Sequence, residues 1–247
     1  MHNTRYTIIF VLILSAVVAL LLTGFREGTK DLAAAGEEIF NKRAILKTIE
    51  SELGEGVKVA DLTADEINEI FNTKIDSKVL DMKGNVLTEA QIVEKGYKGG
   101  SAIDVDIKKE KKKPEMDRIL PLFEYNGKEK VYVMSVIGSG LWDLIWGNIA
   151  VRSDKQSTVV GASFDHAGET PGLGAEIKDN PKFPASFAGK KLYNTEGAYV
   201  GITSRKGGAI DMNHDVDGLS GATVTADGVT EMMIRGLKYY EPYLKKN

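Results

Sequence analysis

The chain has 247 residues, a formal net charge of −3 and no cysteine. This length allows a membrane segment and one domain of roughly 200 residues, and the slightly acidic balance gives no general affinity for nucleic acid. The lack of cysteine excludes disulfides, thiolate metal sites, cysteine-ligated iron–sulfur clusters, a cysteine nucleophile and a lipoprotein anchor. The three histidines, His2, His166 and His214, have no metal-binding spacing, so no metal site is predicted.

The first predicted element is an apolar segment from Tyr6 to Phe25 that contains no charged residue. About 20 such residues match the hydrocarbon core of a bilayer. The alternative is a cleaved signal peptide, whose apolar region would be only about 7–15 residues long and would end at a small-x-small site. The sequence therefore favours an uncleaved single-pass anchor. Its orientation stays open on charge alone, because Arg5 and the α-amino group on one side are balanced by Arg26 and Lys30 on the other.

Residues 26–54 are predicted to be a stalk or the first helix of the domain that follows. Apolar residues between Lys30 and Glu52 recur mostly at three- and four-residue spacing, which is typical of an amphipathic helix. Gly54-Glu55-Gly56 ends this helix, and Thr63-Ala64-Asp65-Glu66 is a capping box that begins the next one. The folded domain is therefore predicted to span residues 55–247.

Two features are predicted between these helices and the glycine-rich motifs. Val79–Leu87 has the pattern of a hairpin across the turn Gly84-Asn85. The basic run Lys108–Lys113 is predicted to be a solvated loop, because like charges repel and stay in water, with a docking patch for an anionic partner as the alternative.

The second half of the chain contains most of the predicted strands. These are Lys130–Ile137, Asn148–Arg152, Ser157–Phe164 and Tyr199–Ser204. A C-terminal helix is predicted because Val229, Met232, Met233, Leu237 and Tyr240 recur at helical spacing. The fold class is therefore α+β, with a mixed or antiparallel sheet flanked by helices.

Three motifs lie among these elements. They are Gly138-Ser139-Gly140-Leu141-Trp142, Asp165–Gly174 and Asp215–Thr225. Trp146 would lie one turn beyond Trp142 if the first motif were helical. In the second motif Thr170 followed by Pro171 has the pattern of a helix start, and in the third Thr225 suits a helix N-cap.

Glycine permits close approach of the backbone to a ligand, and a helix N-terminus offers unpaired N–H groups to a phosphate. Ordinary turns and, for the tryptophans, core packing are the alternatives. No catalytic residue is predicted, because Ser220 lacks a recognisable base and the G-x-S-x-G pattern is absent.

The motifs resemble those of one family. Asp217-Gly218-Leu219-Ser220-Gly221-Ala222-Thr223 resembles the D-x-x-[ST]-G-A-T signature of domains that carry FMN on the final threonine. The pattern H-x-x-E-T-P-G-L-G from His166 to Gly174 resembles the second motif of these domains. With the anchor and the G-x-G-L-W segment, nearly the full chain resembles the NqrC family, the C subunits of bacterial Na+-translocating NADH:quinone oxidoreductases. The related G subunit of Rnf complexes is the alternative, and the long insert before Gly138 favours NqrC.

This resemblance implies an FMN joined through its phosphate to Thr223, in an extracytoplasmic FMN-binding domain. It also implies that a separate FAD-dependent, magnesium-requiring flavin transferase attaches the group and recognises Asp217 and Ser220. The implied phosphate-side residues are Asp217, Ser220, Gly221 and Ala222. The implied residues around the isoalloxazine ring are Leu141, Trp142, His166, Glu169, Thr170, Gly172, Leu173 and Gly174. For His166 a structural role and a role as proton partner both remain open.

The implied function is that of an electron carrier without independent catalysis. The family relays electrons from NADH towards quinone with coupled Na+ export. The implied partners are the NADH-oxidising subunit and the membrane subunits that carry flavin and the quinone site. Residues 1–5 would be cytoplasmic, residues 6–25 would span the inner membrane, and the domain would be extracytoplasmic. A membrane-tethered scaffold without redox function is the third hypothesis, after the NqrC subunit and the G subunit of Rnf complexes.

Overall fold

The computed structural model describes residues 4–247, so His2 and most of the predicted cytoplasmic segment 1–5 lie outside the described residues. The helices are α1 (Thr4–Thr48), α2 (Ala64–Lys74), α3 (Glu89–Glu94), α4 (Ile107–Lys111), α5 (Glu176–Asp179), α6 (Lys182–Ala185), α7 (Thr223–Glu231) and α8 (Glu241–Leu244). The strands are β1 (Ile75–Asp81), β2 (Ile119–Asn126), β3 (Lys130–Ser139), β4 (Leu144–Arg152), β5 (Val159–His166), β6 (Thr203–Arg205) and β7 (Asp215–Asp217). A π-helix, Met232–Gly236, continues α7.

The chain divides into two compact units, of which the first ends at Phe40 and the second runs from Asn41 to Asn247. From Thr4 onwards the first unit consists of helix, because α1 is continuous over 45 residues. This helix is long and apolar enough to cross a membrane by length and composition. The sequence predicts an anchor and a separate later helix, whereas α1 continues through Gly24 and Gly28. An interior glycine costs a helix about 1 kcal/mol but does not end it.

The second unit is built on a five-stranded antiparallel sheet whose spatial order, β1-β2-β3-β4-β5, is also the order in sequence. A separate pair, β6 and β7, is parallel. The predicted α+β class with an antiparallel sheet flanked by helices is therefore confirmed.

Both faces of the five-stranded sheet are covered. Side chains alternate along a strand, and Met134 and Ile149 on one face are fully buried against the helices at the C-terminal end, including Met233. On the other face Phe123 packs edge-on against Phe71 of α2, with ring centroids 5.8 Å apart. The two-sided burial explains why β2 and β3 are nearly continuous apolar runs.

The last turns of α1 also pack on this second face. The Oγ of Ser163 donates to the carbonyl oxygen of Ala44 at 3.1 Å. A β-carbon at Gly161 would lie 2.4 Å from the carbonyl oxygen of Thr48, so glycine lets α1 approach β5 closely.

Strands β2 and β3 separate at one end. Their pairing begins at Leu122 and Met134, although both strands continue beyond these residues. The buried Tyr240 bridges the opening, because its Oη lies 2.9 Å from the carbonyl oxygen of Pro121 and 2.7 Å from that of Ser135. The start of α8, whose N-cap residue is Tyr240, is thereby tied to two strands.

Several local predictions are confirmed and others are wrong. Thr63 and Glu66 form the predicted capping box, and Lys130–Ile137 lies within β3. The predicted hairpin Val79–Leu87 is present in short form. Leu80 and Val86 form an antiparallel bridge, and the N–H groups of Asp81 and Leu87 donate to the carbonyl oxygens of Asn85 and Val79 at 2.9 and 2.8 Å. Of the predicted strand Tyr199–Ser204, only its last two residues lie in β6.

The basic run Lys108–Lys113 is not a solvated loop, because most of it belongs to α4. Glu110, the one acidic residue of the run, is buried and accepts hydrogen bonds from Tyr97 Oη and from the backbone N–H of Ile119. Lys108 lies over the ring of Trp146, 3.6 Å from its centroid. The prediction considered the repulsion among the lysines and missed the buried carboxylate that fixes the segment.

Candidate functional site

The three motifs meet at one place in the second unit. They contribute the β3–β4 turn (residues 140–143), the post-β5 loop (residues 167–175) and the pre-α7 loop (residues 218–222) with the first turn of α7. The first motif is therefore a strand-to-strand turn, and Trp146 lies on β4 and not one helical turn beyond Trp142. The structure thus brings residues from three distant parts of the sequence together, as the family resemblance implies.

Glu169 lies at the centre of this meeting point and is only 4% exposed. Its Oε1 accepts the backbone N–H of Trp142 at 2.9 Å, and its Oε2 accepts the hydroxyl of Thr225. Burial alone would raise the pKa of the Glu169 carboxyl, but hydrogen bonds from Thr225, Trp142 and Asp143 outweigh it and lower this pKa. Glu169 is therefore a buried anion that joins all three segments.

Glycines make room for this carboxylate. A β-carbon at Gly140 would lie 2.4 Å from Oε1 of Glu169, and one at Gly174 would lie 2.1 Å from Oε2. In the pre-α7 loop Gly221 has a φ of 73°, in the left-handed region that favours glycine, and its β-carbon would lie 2.9 Å from Cδ2 of Leu173. The pre-α7 loop and the post-β5 loop are therefore in direct contact.

Large apolar side chains are exposed at this contact. Leu141 is 53% exposed, Trp142 is 69% exposed and Leu173 is 41% exposed, and we call these three residues the apolar patch. The indole Nε1 of Trp142 donates to Oγ1 of Thr170 at 3.1 Å, which links the β3–β4 turn to the post-β5 loop. Exposed aromatic and aliphatic side chains beside glycines suit a flat aromatic ligand, so the residues present fit the isoalloxazine ring of FMN.

The pre-α7 loop leads into a helix N-terminus. Ala222 is the N-cap residue and Thr223 is the first residue of α7, which has no acidic residue in its first turn. Unpaired backbone N–H groups and the helix dipole favour an anion at such a place. Ser220 and Gly221 are exposed beside it and Ala222 is buried. A phosphate on Thr223 would therefore suit this position.

Two helix predictions at the site are wrong. Thr225 is not the N-cap of α7, because it is the third residue of that helix and its hydroxyl donates to Glu169. Thr170 and Pro171 do not begin a helix either. They begin a series of turns in which Leu173 and Ala175 donate to the carbonyl oxygen of Thr170, and α5 starts only at Glu176. Thr170 binds Trp142 in place of capping a helix.

Two predicted site residues have partners that fix the loops. Nδ1 of His166 accepts the backbone N–H of Glu169 at 3.1 Å, which places the ring proton of the neutral form on Nε2. The carboxylate of Asp217 accepts the backbone N–H of Ala209 at 2.7 Å. Both contacts are structural, and the roles of these residues towards a flavin or a transferase stay predictions.

Sequence reasoning missed the part that Asp215 plays beside the third motif. Its buried carboxylate binds Arg205 and accepts the N–H groups of Ile210 and Asp211. The Arg205 guanidinium lowers the pKa of Asp215 to about 2, with the backbone N–H groups adding to its effect. Nothing in the sequence around Asp215 predicts these contacts, because the fold brings Arg205 and the backbone N–H groups to its carboxylate.

A cleft of about 280 Å³ lies elsewhere, where β2 and β3 separate. It is lined by Ile119, Ile137, Met232 and Arg235, among others, and by none of the predicted site residues.

The comparisons with known proteins agree with this geometry. Residues 140–238, which include all three segments, match the family described as FMN-binding domain. The class of protein is therefore an FMN-binding one.

Relatives that align over most of their length identify the family within this class. The C subunit of the Na(+)-translocating NADH-quinone reductase of Pseudomonas aeruginosa is 29% identical, with 94% of this chain and 90% of the relative aligned. The equivalent protein of Haemophilus ducreyi is 34% identical over 73% of each chain. The crystal structure of the C subunit from Parabacteroides distasonis matches with a TM-score of 0.72 at 30% identity, over 88% of this chain and 98% of that one. The chain belongs to the NqrC family, the C subunits of Na(+)-translocating NADH-quinone reductases.

Proposed function

We propose that this chain is the covalent-FMN electron carrier of a Na+-translocating NADH:quinone oxidoreductase, with the FMN phosphate joined to Thr223. The observation that carries the proposal is the meeting of the apolar patch with the N-terminus of α7 through the contact between Leu173 and Gly221. An apolar surface for a ring and a dipole for a phosphate therefore lie side by side. A bound FMN supplies the ability to accept and release single electrons, which the side chains of this domain do not have.

The protein residues divide into two groups under this proposal. The apolar patch would bind the ring and exclude water, and Gly172, with a φ of 74°, would let backbone N–H groups of the post-β5 loop approach the ring carbonyls. The first turn of α7 would hold the phosphate. Because the phosphodiester leaves the ring unsubstituted, the surroundings of the ring would set its reduction potential.

FAD would be the donor in the attachment step. The Oγ1 of Thr223 would attack the phosphorus on the riboflavin side of the FAD pyrophosphate, so that a new O–P bond would form and the bridging P–O bond would break. AMP would leave and the hydroxyl proton would be released. A magnesium-dependent flavin transferase would catalyse this step, with Asp217 and Ser220 as recognition residues.

The same proposal covers the complex to which the chain belongs and the side of the membrane on which its domain lies. The relatives are named as a subunit of a Na(+)-translocating NADH-quinone reductase. By that likeness the chain would relay electrons between membrane-bound redox centres, with the domain outside the cytoplasm and Na+ export coupled to electron flow. Residues 6–25 would be the anchor and residues 1–5 would be cytoplasmic.

The decisive experiment is intact mass measurement of the full chain, produced together with its flavin transferase. The wild type should gain the mass of FMN less one water, Thr223→Val should gain nothing, and Thr225→Val should keep the adduct. An adduct on Thr223→Val would place the acceptor elsewhere. A colourless wild type of unchanged mass would refute the redox proposal and support a scaffold.

A further inference from the structure

The buried carboxylate of Glu169 has a role that flavin contact does not explain. It is only 4% exposed, and each of its two oxygens already accepts a hydrogen bond, one from the backbone of Trp142 and one from Thr225. The family resemblance places Glu169 among the residues that contact FMN. The geometry instead directs its carboxylate away from solvent and into the junction of the three segments.

The contacts show what this junction holds in place. Thr225 is two residues after Thr223 on the same helix, so the bond from Thr225 to Glu169 fixes the first turn of α7. The bond from Trp142 fixes the β3–β4 turn, which carries two members of the apolar patch. The same carboxylate thus sets the position of the predicted phosphate site relative to the predicted ring site.

We propose that Glu169 is a positioning residue, which holds Thr223 in place for attachment and whose buried negative charge lowers the reduction potential of the attached flavin. This inference rests on the proposed function, because it takes Thr223 as the acceptor. The positional part follows from the bond to Thr225. The electrostatic part follows from charge, since a fixed anion next to the apolar patch opposes the addition of an electron there.

Thr225 and Thr230 provide a matched pair of test positions on α7. Thr225→Val removes the hydroxyl that binds Glu169 and leaves the charge in place. Thr230→Val removes a hydroxyl from the same helix that binds the backbone N–H of Ser204 at 2.9 Å, on the side of β6. Glu169→Gln keeps the size of the side chain and removes its charge.

The first measurement is the rate at which full-length chain gains FMN mass from FAD and the transferase. Glu169→Gln and Thr225→Val should each slow attachment about tenfold, since misplacement of a reacting group by a fraction of an ångström has effects of this size. The double variant should be no slower than the slower single variant, because both changes break one contact. Thr230→Val should react at the wild-type rate. Equal slowing by Thr225→Val and Thr230→Val would overturn the positional role.

The second measurement is the midpoint potential of the fully loaded chain, which a merely structural role would not change. Glu169→Gln should shift it to a more positive value, while Thr225→Val and Thr230→Val should leave it unchanged. A wild-type potential in Glu169→Gln would overturn the electrostatic role. If the wild type gains no FMN, the proposed function itself fails, whereas a loaded wild type with an unaffected Glu169→Gln refutes this inference alone.

Discussion

Gly174 shows how tightly single residues are fixed at the proposed flavin site. A β-carbon there would lie 2.1 Å from Oε2 of Glu169 and 2.7 Å from Oγ1 of Thr225. We therefore expect Gly174→Ala to lower the free energy of unfolding of the domain by about 1–3 kcal/mol, which is usual for overpacking a buried site. Urea denaturation of the unloaded chain would measure the change.

Gly168 in the same loop is the matched control. A β-carbon at Gly168 would meet nothing within 4 Å, and its φ is not in the left-handed region. Gly168→Ala should leave the free energy of unfolding unchanged or raise it by about 0.4–1 kcal/mol. Equal losses in the two variants would mean that the Glu169 carboxylate does not fill the space at Gly174.

Some contacts of single residues at this site could not be predicted from the sequence. The motifs pointed to three loops that the fold brings together through Glu169. They did not reveal that Thr225 donates to Glu169, which lies 56 positions earlier in the chain. A bond over that separation depends on the tertiary fold, so local capping rules assigned Thr225 to the helix N-cap.

At the scale of elements, Asp215 stabilises the short parallel pair β6–β7 and the loop between these strands. Its carboxylate accepts from Nε of Arg205 at 2.7 Å and from the backbone N–H of Asp211 at 2.9 Å. The pKa of Asp215 falls from 3.8 to about 2 on folding, with the Arg205 side chain as the leading cause. The resulting stabilisation is complete above about pH 4 and is lost as the pH falls through 2.

We therefore expect Asp215→Asn to be less stable than the wild type at pH 7, by about 1–3 kcal/mol for lost charge-assisted hydrogen bonds. The difference should shrink as the pH is lowered from 4 towards 2, because the wild-type carboxylate then becomes protonated. Urea denaturation over this pH range measures it. A difference that stays constant with pH would show that the charge of Asp215 contributes nothing.

Element prediction succeeded where local chemistry is sufficient. The capping box at Thr63 and the apolar run of β3 are both encoded within a few residues, and both were found. The segment α4 was missed because its position depends on Glu110 binding Tyr97 and Ile119. Composition shows the charge of such a segment and not its distant partners.

At the scale of the whole molecule, the start of the folded domain can be tested directly. The sequence places it at residue 55, whereas the second compact unit begins at Asn41. Ile45, Leu46 and Ile49 are each at most 2% exposed, and Arg43 donates to the carbonyl oxygens of Val59 and Leu62. Residues 41–54 therefore contribute buried side chains to the second unit.

We expect a protein shortened to residues 41–247 to fold, and one shortened to residues 55–247 to lose most of its stability. Each buried leucine or isoleucine contributes about 1.5–3 kcal/mol, and the total stability of a domain is only about 5–15 kcal/mol. Circular dichroism with thermal melting distinguishes the two proteins. Equal melting temperatures would show that the domain begins at residue 55.

The strand order of the five-stranded sheet has a consequence for the order of folding. Strands β2 to β5 pair in sequence order through short connections, so this part of the sheet can form by successive local closures, which are fast. The proposed flavin site also needs the bond from Thr225 to Glu169, which spans 56 residues and cannot form until α7 is in place. We expect amide hydrogen exchange during refolding to protect β3 and β4 before α7. A transferase that requires the assembled site would then modify only chains that have finished folding, so the flavin would also mark a completed fold.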